Sequence, residues 1–185
     1  MNRWPLCAAL AALALCGCGE EEPEYIEEVP LSPPPIIKDY KELAKRPISE
    51  LRAMLESDRV QVRRMVAVAL GLKTDETDEV KATLLELTED VNAEVASDAL
   101  VAMAMQGFPE TKELIRQFAE SDDPERRIGA CMAIGEYGDS TLYPLLRNMA
   151  SSDPSGKVRR RAEVIDQQRR GSSRPVPFRR APQEE

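Results

Sequence analysis

Apolar residues recur at intervals of three and four positions along most of the chain, which is the spacing of amphipathic helices. One kind of segment carries large apolar residues, as in Val80, Leu84 and Leu87. A second kind alternates with it and is richer in small residues such as Ala99 and Ala102, which let neighbouring helices approach closely. Only 4% of the residues are aromatic, a composition that favours helices over strands. We therefore predict an all-α fold.

The two kinds of segment recur together with a period near 32 residues. Apolar markers in the first kind lie 32, 31 and 31 positions apart: Leu55, Leu87, Phe118 and Met149. Markers at the start of the second kind lie 33, 31 and 32 positions apart: Val62, Val95, Arg126 and Val158. This period is typical of stacked helix-turn-helix units. We predict a repeat domain over residues 38–170, with repeats at about 48–73, 77–107, 110–138 and 140–170.

Residues typical of helix ends fall between these segments. Asp58 with Gln61 predicts a capping box. Two aspartates precede prolines where second helices should start, at Asp123-Pro124 and Asp153-Pro154. Glycines fall where three second helices should stop, at Gly71, Gly107 and Gly138. We also expect a short helix around residues 39–45, because a terminal repeat must cover its apolar face.

One segment carries a family resemblance. Residues 122–135, which run from Asp122-Asp123-Pro124 to Ile134-Gly135, resemble a HEAT repeat, especially the short phycobilin-lyase-like kind, and residues 62–71 resemble it next best. The resemblance implies a short right-handed α-solenoid of about four helix pairs. The alternative is an irregular helical bundle whose periodicity arose by chance.

The resemblance also implies contacts between repeats. In that family an aspartate in the turn and an arginine early in the second helix can pair from one repeat to the next. On this chain such a ladder would consist of Asp58, Arg63, Asp90, Asp123, Arg127, Asp153 and Arg159, with Asp122 as an alternative to Asp123. Ala96 takes the arginine position in the second repeat, so the ladder is interrupted there.

The N-terminus resembles a bacterial lipoprotein signal. Arg3 precedes an apolar run over residues 5–15, which is too short to cross a bilayer core of about 30 Å. Leu15-Cys16-Gly17-Cys18 then resembles the lipobox, which implies a signal peptide over residues 1–17, cleavage between Gly17 and Cys18, and a lipid on Cys18. Because Gly19 is not aspartate, the resemblance implies the outer membrane, facing the periplasm, if the cell is Gram-negative. An ordinary cleaved secretory signal is the alternative.

Charge is distributed unevenly around the repeats. Residues 18–37 contain six glutamates and several prolines, which predicts an extended linker, and residues 171–185 predict a disordered basic tail. Five basic residues are candidates for contact with an anionic partner: Lys157, Arg160, Arg161, Arg169 and Arg170. That partner would be lipid headgroups, an envelope polyanion or the acidic linker itself. The alternative is a solvated face on the last helix.

Composition limits the chemistry. The chain has no histidine, which excludes histidine-based nucleophile pairs, a histidine general base and histidine metal ligands. A net charge of −8 argues against nucleic-acid binding. The acidic clusters lack the central glycine of a calcium loop, and Cys131 is predicted to be a buried core residue. We predict no catalytic residue, no metal and no cofactor.

These observations favour a membrane-anchored, non-catalytic scaffold or adaptor that binds another envelope protein through the second helices of its repeats. No nucleic acid and no small-molecule substrate is evident. One alternative is an accessory or lyase-like enzyme subunit of the phycobilin-lyase type. A second alternative is binding of anionic lipid or polyanion by the basic C-terminal helix.

Overall fold

A computed structural model describes residues 40–75 and 77–171. In these residues all regular secondary structure is helical, which confirms the predicted all-α fold. The α-helices are α1 (Tyr40–Ala44), α2 (Ile48–Leu55), α3 (Val60–Leu72), α4 (Thr77–Thr88), α5 (Ala93–Gln106), α6 (Thr111–Ala119), α7 (Pro124–Tyr137), α8 (Tyr143–Ser152) and α9 (Gly156–Gly171), with one 3-10 turn at Ser140–Leu142. None of these helices is long and apolar enough to cross a membrane. The predicted signal peptide, Cys18, the linker and the tail after residue 171 lie outside the described residues.

Four helix pairs stack in chain order. We call α3, α5, α7 and α9 the inner helices, and α2, α4, α6 and α8 the outer helices. Each inner helix packs extensively on the next one, and each outer helix packs on its own inner partner. Outer helices contact one another much less. The inner helices of successive pairs are therefore packed more closely than the outer helices. A stack built in this way curves towards the inner helices, which lie on its concave side.

The core follows this stack. Its buried side chains form two adjoining clusters, one around α3 and α5 and one around α7 and α9, and Leu114 packs against both. The predicted terminal helix is present as α1, which packs on α3 and contributes the buried Leu43 to the first cluster. Burial of apolar area against neighbouring repeats is what holds such a stack together.

Small residues bring the inner helices close together. A Cβ added to Gly71 of α3 would lie 2.8 Å from the Cβ of Ala102 in α5. A Cβ added to Gly129 of α7 would lie 2.5 Å from Oγ of Ser97, also in α5. Real Cβ atoms do not tolerate such distances, so these glycines permit the observed spacing of the helices.

The predicted helix ends are confirmed at two of the three glycines. Gly107 and Gly138 end α5 and α7 in the left-handed conformation, with φ of 75° and 74°. The prediction for Gly71 was wrong, because this residue lies inside α3. The chain leaves α3 in an extended conformation at Lys73, and Nε2 of Gln106 donates to the carbonyls of Leu70, Gly71 and Lys73. A side chain of the next inner helix thus replaces the glycine cap.

Helix starts follow the prediction at one position and depart from it at two. Asp123 caps α7 by accepting from the backbone N of Glu125, with Pro124 as the first helical residue. Asp153 instead ends α8 and accepts from the backbone N of Ser155, so that α9 begins only at Gly156. The capping box at Asp58 and Gln61 was also wrong: α3 begins at Val60 without a side-chain cap.

Candidate interaction surface

An arginine–aspartate pair joins the first repeat to the second. Arg63, early in α3, donates from Nε to Oδ2 of Asp90 at 2.8 Å and from Nη2 to Oδ1 at 3.0 Å. Its third nitrogen, Nη1, donates to the carbonyl of Ser57 in the turn before α3. Charge-assisted bidentate contacts of this kind are among the stronger hydrogen bonds in proteins.

The same arrangement joins the third repeat to the fourth. Arg127 donates from Nε and Nη2 to the two carboxylate oxygens of Asp153, at 2.9 and 3.0 Å. Its Nη1 donates to the carbonyls of Ser121 and Asp122 in the turn before α7. This pair is the more deeply buried one, with side-chain exposures of 10% for Arg127 and 5% for Asp153.

Both pairs are ionised in the folded protein. The hydrogen bond to Asp90 raises the pKa of Arg63, and the hydrogen bond to Asp153 raises that of Arg127. Burial raises the pKa of each aspartate, but the hydrogen bonds from arginine and from backbone N–H groups outweigh burial and lower it. Each carboxylate therefore stays charged well below neutral pH.

The other three residues of the predicted ladder form no such pair. Asp58 lies exposed in the turn before α3, and the part of the chain that the structure describes contains no earlier repeat that could supply an arginine. Asp123 caps α7, and the preceding repeat has Ala96 at the arginine position. Arg159 donates only to the backbone carbonyls of Asp153 and Pro154, since no repeat follows α9 in the described part of the chain.

The junction between the second and third repeats uses contacts that the sequence analysis missed. Nη2 of Arg126 donates to the carbonyl of Asp90 at 3.1 Å, and its guanidinium lies over the ring of Phe118. Oγ of Ser97 donates to the carbonyl of Glu125 at 2.9 Å. The sequence did contain one indication of this contact. Arg126 is charged, whereas the equivalent residues at the start of the other inner helices are all valine.

The inner helices leave one face open to solvent. Each central inner helix is covered by its outer partner and by two inner neighbours, so its remaining face lies on the concave side. On α5 this face carries Glu94, Asp98, Val101 and Met105, at intervals of three and four residues. We call the surface that these open faces form the inner surface.

A row of partly exposed apolar side chains runs along the inner surface. It consists of one residue from each inner helix: Val68, Val101, Met132 and Val164. Each lies six positions after the marker that starts its helix, so the four take equivalent places in successive repeats. Val164 is the most open of them, with 40% of its surface exposed. Such a row inside a charged border is typical of a contact surface.

Arginines on the inner surface form ion pairs at the α3 end, whereas those at the α9 end form none with the described residues. Arg64 of α3 contacts Glu94 and Asp98 of α5, each at 2.7 Å. Burial raises the pKa of Asp98 although the hydrogen bond from Arg64 opposes the rise. At the α9 end, Arg160 and Arg161 are exposed and form no hydrogen bond or ion pair with any described residue.

The five basic residues predicted to meet an anionic partner therefore fall into two groups. Lys157, Arg160 and Arg161 are exposed near the start of α9, and only Lys157 has a carboxylate nearby, with 3.9 Å between its Nζ and Oε1 of Glu125. Arg169 and Arg170 are directed at neighbours within the chain. The guanidinium of Arg169 lies over the ring of Tyr143, and Arg170 pairs with Asp166 at 2.6 Å.

Cys131 is fully buried, as predicted, and lies 3.7 Å from the sulfur of Met149. Burial raises the pKa of its thiol to about 12. The thiolate needed for nucleophilic chemistry is therefore scarce at neutral pH. Among residues 40–75 and 77–171, no group of three or more cysteine, aspartate or glutamate side chains is arranged to hold a metal ion.

Comparison with known proteins identifies one family. A family profile described as HEAT repeats matches residues 80–165, which run from within α4 to within α9 and form somewhat less than half of the chain. The predicted similarity to HEAT repeats is confirmed over these residues, whereas the narrower likeness to the phycobilin-lyase kind stays a prediction. No curated protein and no solved structure matches the chain.

Proposed function

We propose that this chain is a lipid-anchored, non-catalytic scaffold of the bacterial cell envelope that binds another envelope protein on its inner surface. HEAT repeats commonly mediate contacts between proteins, and stacked repeats offer a long surface for a partner. The observation that carries the proposal is the row of Val68, Val101, Met132 and Val164. Burial of such side chains by a partner supplies binding free energy in proportion to the apolar area removed from water.

The binding site is tested by photo-crosslinking in cells of the source organism. A photoreactive residue at Val101 or Met132 should form a covalent adduct with one partner protein, because both side chains lie on the inner surface. The matched control carries the same residue at Gln117, which is exposed on the outer helix α6. Equal adducts from all three positions, or none from Val101 and Met132, would contradict the proposed site.

A second substitution separates binding from folding. Val101→Glu places a charge in the middle of the apolar row, where it should cut the yield of the adduct formed from Met132 by at least about tenfold, since burying an unpaired carboxylate is costly. Val101 also packs against the second core cluster, so the thermal unfolding midpoint of the same variant is measured beside the adduct. Loss of the adduct together with loss of the fold would not support the site.

The anchor is supported by Leu15-Cys16-Gly17-Cys18, which lies outside the described residues. We expect Cys18→Ala to release the protein from the membrane fraction, because the acyl chains provide the membrane affinity. Cys16→Ala is the matched control, since it removes a neighbouring cysteine and keeps Cys18. Continued sedimentation of the Cys18→Ala protein with membranes would refute lipid attachment as the main anchor, and with it the outer-membrane location.

A further inference from the structure

Three arginines take the same position in the stack and are held in the same way. Arg63, Arg127 and Arg159 each follow the marker residue of their inner helix by one position. In each of them Nη1 donates to backbone carbonyls of the turn before that helix, at distances from 2.6 to 3.2 Å. Because a guanidinium is planar and rigid, fixing Nη1 also orients the opposite edge, which carries Nε and Nη2.

In two of the three arginines that edge is occupied by the next repeat. Asp90 fills the edge of Arg63 and Asp153 fills the edge of Arg127, with all four nitrogen–oxygen distances between 2.8 and 3.0 Å. The edge of Arg159 has no carboxylate on it among the residues that the structure describes. Arg159 therefore has the same oriented guanidinium edge that binds a carboxylate in Arg63 and in Arg127, and it lies at the end of the described stack.

Arg160, the next residue, also has a counterpart earlier in the chain that binds carboxylates. Arg160 takes the position in α9 that Arg64 takes in α3, two residues after the marker. Arg64 binds Glu94 and Asp98, which lie one turn apart on the following inner helix. Arg160 has no ion pair within the described ranges. Glu163, one turn further along α9, accepts a hydrogen bond from Gln167 and pairs with neither arginine.

We propose that the α9 end of the stack binds an acidic segment of another protein that consists of a turn followed by a helix, since Asp90 lies in the turn before α5 whereas Glu94 and Asp98 lie on α5. One carboxylate of that segment contacts Nε and Nη2 of Arg159, as Asp90 and Asp153 do within the chain. Carboxylates four and eight positions later reach Arg160, in the spacing of Asp90, Glu94 and Asp98. The proposal rests on the proposed scaffold function and names the chemistry of the partner.

A protein segment fits this end better than a lipid headgroup does. Ile128 and Val164 lie beside the basic residues, in the groove between α7 and α9 that Lys157, Arg160 and Arg161 also line. The groove therefore offers apolar contact next to guanidinium groups. A helical segment with both acidic and apolar side chains uses both features, whereas a headgroup uses only the charge.

The test uses a peptide taken from the chain itself. Residues 88–100 contain Asp90, Glu94 and Asp98, and the fluorescein-labelled peptide is titrated with the full-length protein in neutral detergent while anisotropy is recorded. We expect saturable binding that falls about tenfold in Arg159→Gln, because a bidentate charge-assisted contact is lost. Arg159→Lys keeps the charge without the planar edge and should fall nearly as far. Arg147→Gln, an exposed arginine of α8 without an ion pair, is the matched control and should bind normally.

Several results of this titration would contradict the proposed partner chemistry. Unchanged binding by Arg159→Gln, equal binding of a peptide in which the three carboxylates are amides, or no binding at all would overturn the proposal. Displacement of the peptide by millimolar dioctanoyl phosphatidylglycerol, with tighter binding of that lipid, would also overturn it and identify a headgroup as the occupant. Unfolding midpoints of the variants verify the fold. Adducts from Val101 that survive in Arg159→Gln, alongside a failed peptide titration, would leave the scaffold function standing and reject only this partner chemistry.

Discussion

The three junctions between repeats solve one packing problem in two ways. The first and third junctions contain buried bidentate ion pairs, Arg63 with Asp90 and Arg127 with Asp153. The middle junction contains no such pair, and there Gly129 packs so closely on Ser97 that an added Cβ would lie 2.5 Å from its Oγ. The stack therefore forms without a complete arginine–aspartate ladder. Packing of small residues occurs at every junction, and the ion pair is added where the sequence supplies both partners.

The two kinds of junction should respond differently to substitution. A buried ion pair adds little net stability compared with apolar residues of similar shape, because both charges had to leave water. Removing one partner is costly nevertheless, since the other charge is left buried and unpaired. A close contact between helices instead resists added volume. Substitutions at the ion pairs and at the close helix contacts can therefore be told apart by their effect on the free energy of unfolding.

The largest effect is expected at the third junction. Asp153→Ala leaves Nε and Nη2 of Arg127 buried without an acceptor, and we expect the free energy of unfolding to fall by about 3 kcal/mol. Urea unfolding followed by circular dichroism measures it. Asp58→Ala is the control, because Asp58 is exposed and forms no ion pair, and it should change stability by less than about 0.5 kcal/mol. A loss below about 1 kcal/mol for Asp153→Ala would show that the pair contributes little at this junction.

The next effect is expected at the middle junction. A Cβ at position 129 would meet Oγ, Cβ and Cα of Ser97 at 2.5, 2.6 and 3.0 Å, so that Gly129→Ala must push α5 and α7 apart. We expect a loss of about 2 kcal/mol, even though alanine is the better helix former. Gly156→Ala is the control, since its added Cβ would meet only Nη2 of Arg159 at 3.7 Å. Restoration of stability by a second substitution, Ser97→Gly, would assign the loss to this contact, and its absence would count against the assignment.

These junctions also show what the sequence could and could not predict. The helix pairs could be predicted because the same spacing of apolar residues recurs in every repeat. Gly71 was misplaced because glycine serves both left-handed helix ends and close helix contacts, and only the position of Ala102 decides between them. Arg126 and Ser97 were missed because they bind backbone carbonyls, which any sequence provides. The open inner surface could be located only once the order of packing was known, although the position of its apolar row could have been counted from the markers.

A smaller effect should follow from the hydrogen bonds that span the middle junction. Arg126→Ala removes the donor to the carbonyl of Asp90 and the contact with Phe118, and we expect a loss of about 1 kcal/mol, because both contacts are partly exposed to water. Arg116→Ala is the control, since Arg116 contacts only Glu113 on the same exposed helix face. If both variants lose the same small amount, Arg126 does not join the repeats, and close packing alone holds the middle junction.

The smallest effect concerns a partly exposed ion pair that joins α6 of the third repeat to the turn before α8 of the fourth. Nζ of Lys112 in α6 lies 2.8 Å from Oδ2 of Asp139, which follows α7, and this hydrogen bond, with a second from the backbone N of Thr141, lowers the pKa of Asp139 to about 2. The unfolded value is near 3.9. The stabilisation is therefore complete above about pH 5 and is lost as the pH falls towards 2.

Asp139→Asn keeps an acceptor for Thr141 and removes only the charge. Because Lys112 and Asp139 are partly exposed, solvent screening should reduce the loss at pH 7 to about 0.5 kcal/mol. The gap between wild type and variant should narrow as unfolding is measured at pH 7, 4 and 2.5, because the carboxyl is protonated first in the unfolded state, and it closes fully only below the folded-state pKa of about 2. A gap for Asp139→Asn that does not change with pH would mean that the shape of this side chain at the helix start, and not its charge, sets the contribution of the pair, unlike the ionised pairs Arg63–Asp90 and Arg127–Asp153.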